Sequence, residues 1–219
     1  MKKLLSLTIA LAATAGLAPH AQAQQAQNGK KMVDMCIGCH GIPGYQASFP
    51  QVYKVPMIAG QNAKYIVSAL TAYKKGDRKH PTMRAIADSL TDADMADVAA
   101  FYEQQGKDVA SPAVPESVAA APAAVAELLT KGNCVSCHGA NFNKPIDASY
   151  PKISGQKSDY LFAALKAYQT QNNPLVGRNN AIMAGMVKPF SHAELKRIAD
   201  YIGSLPSDLK TVEQAHFRP

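Results

Sequence analysis

The chain is 219 residues long, 47% hydrophobic and 18% charged, with a formal net charge of +7. Its basic residues are scattered, with no basic run and little basic–aromatic interleaving, which argues against a nucleic-acid role. All four cysteines fall in two short motifs, so none is left for a structural disulfide.

Lys2 and Lys3, the apolar run Leu4 to Leu17 and the A-x-A site Ala21-Gln22-Ala23 read as a secretory signal over residues 1–23, with the mature chain starting near Gln24. The apolar run is short for a bilayer span, and no cysteine follows the cleavage site to carry a lipid. Losing Lys2 and Lys3 takes the charge from +7 to +5. A mildly cationic face of that kind would steer the protein towards acidic redox partners.

A short helix then leads into Cys36-Ile37-Gly38-Cys39-His40, a C-x-x-C-H motif. Two thiols about one helical turn apart can form thioethers with the two vinyl groups of a porphyrin, and the adjacent histidine then lies under the iron. An irregular stretch follows, rich in Gly, Pro and Asn or Ser. Next comes a helix from about Ala63 to Lys75, with Tyr65, Ile66, Ala69, Leu70 and Tyr73 at helical spacing. A loop carries Met83. The last helix of this unit opens at Thr91, where Thr91-x-x-Asp94 is a relative of a capping box. Met95, Val98, Ala99 and Tyr102 mark its buried stripe.

Residues 109–125 are rich in Ala and Pro (Pro112, Pro115, Pro122) and have the composition of a linker. Beyond them the pattern repeats. Cys134-Val135-Ser136-Cys137-His138 lies 98 residues after its first counterpart. PKISGQKSDYLFAALKAY (151–168) matches PMIAGQNAKYIVSALTAY (56–73), and the second copy has its own Met183 and the capping box Ser191-x-x-Glu194 before a stripe of Leu195, Ile198, Ala199 and Ile202. The predicted organisation is domain 1 at 24–108, the linker at 109–125 and domain 2 at 126–219. Each domain is roughly 80 to 90 residues, thin for an independent core. A covalently held haem would complete it.

Two C-x-x-C-H copies, each with its histidine, favour two haem c groups over a four-thiolate zinc site or a redox-active dithiol. Cys36, Cys39, Cys134 and Cys137 are the attachment residues, and His40 and His138 the proximal ligands. The residue on the far side of each iron separates a carrier from a catalyst. Met83 and Met183 alone among the methionines pair across the duplication, and a thioether ligand implies a fairly high reduction potential. Met57 and His80 are alternatives in the first copy, but they align with Lys152 and Asn180. Arg78 and Arg178, five residues before the paired methionines, are candidates for contacts to haem propionates; plain solvated arginines are the other reading. Pro56 or Pro151 could offer a carbonyl to the proximal histidine. The paired tyrosines read as helix packing, and His192 and His216 as surface residues.

Together these elements resemble the two-haem cytochrome c4 family. The resemblance rests on the two C-x-x-C-H motifs, the P-x-x-x-G-Q element (Pro56/Gly60/Gln61 and Pro151/Gly155/Gln156) and the methionine followed by the T/S-x-x-D/E helix. It implies an all-α fold of two tandem class I cytochrome c domains, packed face to face about a pseudo-twofold axis, each wrapped round one covalent haem. The matching haem ligands are His40 and Met83 in the first copy and His138 and Met183 in the second. It also implies a periplasmic electron carrier, often associated with the membrane. Its donor would be a cytochrome bc1-type complex or a dehydrogenase, and its acceptor a terminal oxidase. Haem-binding subunits of flavin-linked sulfide dehydrogenases look similar, so a dedicated subunit is the alternative. The stretch Tyr45 to Lys54 departs from the family by its length and aromatic content. A two-haem peroxidase or gas-binding protein would need an open iron face, which the paired methionines argue against.

Overall fold

The computed structural model describes residues 17–110, 113–117 and 120–213. The positive end of the expected signal sequence, most of its apolar run and His216 lie outside the described residues.

The first half opens with helix α1 (Leu17–Lys30), which runs through the expected cleavage site. It continues through α2 (Asp34–His40), a small antiparallel pair β1 (Gln46–Ala47) and β2 (Tyr53–Lys54), α3 (Ala63–Lys75), β3 (Arg78–Lys79), α4 (Pro81–Asp88) and α5 (Asp92–Asp108). The second half repeats most of this order as α6 (Ala123–Lys131), α7 (Val135–His138), α8 (Ser158–Gln169), β4 (Gly177–Arg178), α9 (Ala181–Val187) and α10 (His192–Gly203). In place of β1 and β2 the second half has a turn in which the Phe142 carbonyl accepts the N–H groups of both Ile153 and Ser154. The mainly helical architecture agrees with the all-α expectation.

Each half buries its predicted stripes against one another. Ile66, Leu70 and Tyr73 of α3 meet Met95, Val98, Ala99 and Tyr102 of α5, with Val33 and Ile37 closing the first core. Leu161 of α8 meets Leu195, Ile198, Ala199 and Ile202 of α10, with Leu128 and Leu129 of α6 closing the second. Burying each such aliphatic side chain stabilises the fold by about 1.5–3 kcal/mol. Both long terminal helices start on full capping boxes. Thr91 and Asp94 exchange side-chain-to-backbone bonds, as do Ser191 and Glu194, so the Thr91 motif is a complete box rather than a weak relative.

One expectation is corrected. Met83 and Met183 lie on the short helices α4 and α9, not on loops. Pro81 occupies the first turn of α4, where its missing N–H removes no helical bond. The last described residues also leave their own half. Lys210 pairs with Ala59 in an antiparallel bridge, and its ammonium donates to the carbonyls of Gly106 and Val109. Val212 packs on the first core, so this part of the segment read as domain 2 is a strap across the first half.

Candidate functional site

In each half the C-x-x-C-H motif sits on a short helix. Cys36 and Cys39 lie three residues apart on α2; Cys134 caps α7 and Cys137 lies within it. All four are free and partly exposed. Burial pushes the Cys36 thiol above its ordinary range and raises Cys134 to about 11. Redox-active dithiols show the opposite shift, so these groups are suited to remaining thiols until they add to a vinyl group. Among the described residues no three His, Cys, Asp or Glu side chains converge.

Both histidines are oriented in the same way. His40 Nδ1 lies 2.9 Å from the Pro56 carbonyl oxygen, and His138 Nδ1 lies 3.1 Å from that of Pro151. A carbonyl can only accept, so Nδ1 carries the proton in each ring and the Nε2 lone pair is left for a metal. Burial lowers the pKa of both imidazoles, against the opposing pull of those carbonyls, which favours the neutral, ligating form.

Met83 and Met183 are both partly buried against their cores. The residues three positions earlier explain a mismatch between the copies. The Met83 N–H donates to His80 Nδ1 at 3.3 Å, and the Met183 N–H donates to Asn180 Oδ1 at 3.0 Å. His80 and Asn180 are therefore equivalent N-caps. Met57, the other alternative, is buried with both its backbone polar groups engaged by Gln156.

The two halves meet through symmetric contacts. β3 and β4 pair antiparallel with Arg78 opposite Arg178, so each arginine faces its own counterpart. Self-pairing of this kind places a pseudo-twofold axis between the two. Gln61 takes the Lys152 N–H on its Oε1 at 2.9 Å and donates from Nε2 to the Lys152 carbonyl at 2.9 Å. Gln156 does the same to Met57, at 3.0 and 2.8 Å. The glycine before each glutamine has positive φ, 86° at Gly60 and 62° at Gly155, which turns the carboxamide across the interface.

Arg78 and Arg178 are half-buried and held by tyrosines. Arg78 donates to the hydroxyls of Tyr160 at 2.6 Å and Tyr65 at 3.3 Å; Arg178 donates to Tyr160 at 3.1 Å and Tyr168 at 3.5 Å. Burial pushes the Tyr160 hydroxyl up, but Arg78, then Arg178, and their hydrogen bonds outweigh it and bring the group down to about 8. The tyrosines that read as packing thus hold two cations at the interface. Neither this cluster nor the glutamine clamp was foreseen, although identical Gly-Gln pairs in both copies were the available signal. His192 is exposed, as expected.

The residues present fit a covalent haem at each motif. Each half offers two accessible thiols one turn apart, an imidazole with Nε2 free and a thioether on a neighbouring short helix. The buried Nε of Arg78 has no hydrogen-bond partner, a cationic donor suited to a carboxylate.

Comparison with known proteins matches both halves of the chain. The Cytochrome c family profile matches residues 26–105 and 122–206, once per half. Cytochrome c4 of Azotobacter vinelandii is 30% identical over 221 residues, covering 93% of this chain and 99% of that protein. The thiosulfate dehydrogenase electron acceptor of Stutzerimonas stutzeri (strain A1501) is 31% identical over 217 residues, covering 89% of this chain and 94% of the relative. The crystal structure of reduced recombinant cytochrome c4 from Pseudomonas stutzeri superposes with a TM-score of 0.61 at 25% identity, covering 82% of this chain and 98% of that one.

Proposed function

Because the chain belongs to the cytochrome c family, and within it to the two-haem cytochrome c4 proteins, we propose that it shuttles single electrons in the periplasm, from a respiratory donor to a terminal oxidase or similar acceptor. It is an electron-transfer protein with two covalently bound haem c groups. Haem iron held there would supply one-electron ferric/ferrous chemistry.

Cys36 and Cys39 tether one haem, and Cys134 and Cys137 the other. His40 and His138 would hold the iron through Nε2, with their rings oriented by the Pro56 and Pro151 carbonyls. Met83 and Met183 would supply the thioether ligands that keep small molecules off the iron. Arg78 and Arg178 offer their guanidiniums to propionates. The secretory signal at 1–23 exports the chain, and the linker at 109–125 joins domain 1 (24–108) to domain 2 (126–219), whose last described residues strap back across domain 1. The observation that supports this reading is the pair of histidine–carbonyl bonds, one in each copy of the duplicated motif.

The test is a potentiometric titration of the exported protein, followed by optical and magnetic spectra. Two low-spin haems with sulfur ligation are expected. Rapid, full-occupancy binding of carbon monoxide or cyanide at either iron would refute the carrier reading. A second reading, the electron-acceptor subunit of a dehydrogenase, is favoured by the similarity to a protein named for accepting electrons from thiosulfate dehydrogenase. Co-purification with a dehydrogenase would select it; a stable monodisperse monomer would select the shuttle.

A further inference from the structure

We propose that each interfacial glutamine controls the reduction potential of the haem in the opposite domain: Gln156 that of the first haem, through His40, and Gln61 that of the second, through His138. The inference rests on the reading that these histidines are the proximal ligands.

The carbonyl that accepts from His40 belongs to the Pro56–Met57 peptide group. The N–H of that same peptide donates to Gln156 Oε1 at 3.0 Å, across the interface. In the other direction, the Pro151–Lys152 peptide accepts from His138 at 3.1 Å and donates to Gln61 Oε1 at 2.9 Å. Imidazole, peptide and carboxamide thus form one hydrogen-bonded chain on each side of the pseudo-twofold axis.

The chain is rigid at its far end. Gln61 and Gln156 are each 4% exposed. Each Oε1 also accepts a second backbone N–H, from Asn62 or Lys157, both at 3.0 Å, and each Nε2 donates to a carbonyl. A carboxamide with all these bonds made cannot flip without leaving buried groups unpaired.

Polarisation gives the sign. A peptide whose N–H donates carries more negative charge on its oxygen and is a better acceptor. Gln156 therefore strengthens the pull of the Pro56 carbonyl on the His40 proton. That makes Nε2 more electron-rich and favours the ferric over the ferrous state. Gln61 acts equally on His138. These are positioning residues: each acts through the peptide that orients the opposite domain's histidine.

The experiment uses the two-haem holoprotein with Gln156→Leu and Gln61→Leu, titrated potentiometrically. NMR resonances tied to the Met83 and Met183 methyl groups tell the haems apart. Gln156→Leu is expected to favour reduction of the first haem about threefold, a rise of ~28 mV for a one-electron couple, and to leave the second unchanged. Gln61→Leu should do the reverse. A shift on the substituted domain's own haem, equal shifts on both, or no shift would overturn the proposal. A loss of packing alone would not produce the crossed pattern. Should a variant fail to fold, amide exchange in the wild-type holoprotein still decides. The N–H groups of Met57 and Lys152 lie outside every helix and strand, yet should exchange as slowly as core helix amides; fast exchange at either refutes the clamp. A preparation with fewer than two haems, or with proximal ligands other than these histidines, would sink the cofactor reading itself. Two intact haems with uncrossed shifts would sink only the crosswise control.

Discussion

Tyr160→Phe should destabilise the holoprotein several times more than Tyr65→Phe, although the two tyrosines are counterparts in the duplication. Tyr160 accepts from Arg78 at 2.6 Å and from Arg178 at 3.1 Å, while Tyr65 accepts one bond at 3.3 Å. A hydrogen bond to a charged group contributes about 1.5–3 kcal/mol, and removing its acceptor leaves buried N–H groups unpaired. The expected costs near pH 7 are about 3 kcal/mol at Tyr160 and about 1 kcal/mol at Tyr65. pH separates them further. The two guanidiniums hold the folded Tyr160 at about 8, against about 10 for an unfolded tyrosine. A depressed folded pKa adds stability as pH rises through the folded value towards the unfolded one. The penalty of Tyr160→Phe should therefore grow between pH 8 and 10, by up to about 3 kcal/mol. Guanidinium unfolding followed by far-UV circular dichroism measures both quantities. Equal costs at the two sites, or a Tyr160 penalty that shrinks as pH rises, would refute the assignment of the two cations to this hydroxyl.

Met83→Ala and Met183→Ala should each abolish the far-red sulfur-to-iron absorption of one haem and lower its potential, while Met57→Ala should leave both bands in place; optical spectra of the three variants check this. Leu195→Ala, at a side chain with 0% exposure, should cost about 2–5 kcal/mol in denaturant unfolding and loosen the second half before the first. Ser191→Ala removes the acceptor for the Glu194 N–H and should cost about 1 kcal/mol, read as a lower thermal midpoint.

The sequence was most legible where chemistry is local. The C-x-x-C-H spacing, the 63–75 helix and the Ser191 box each depend on residues within a turn or two of one another. The proline carbonyls were foreseen because a proximal imidazole needs an acceptor and the duplication left few places for one. Met83 and Met183 were misplaced onto loops because α4 and α9 are only two turns long; the proline and the capping side chains that open them were the overlooked signals. Gln61, Gln156 and the arginine–tyrosine cluster were illegible for a different reason. The glutamines' partners lie 91 and 99 residues away, and no window along the chain places Arg78 beside Tyr160, 82 residues on. The strap ending at Lys210 and Val212 is illegible on the same ground, since its packing belongs to a half it does not follow in sequence.

The self-facing arginines have a historical consequence. A residue that meets its own duplicate across an antiparallel ladder occupies the contact that a single-lobed ancestor would make with a second molecule of itself. The present interface has the form of a homodimer contact within one polypeptide, with the Ala/Pro tether replacing encounter in solution by a high local concentration. Fusion also freed the lobes to diverge. A histidine cap could stand opposite an asparagine, and one tyrosine could claim both guanidiniums, which identical subunits related by an exact axis could not have arranged.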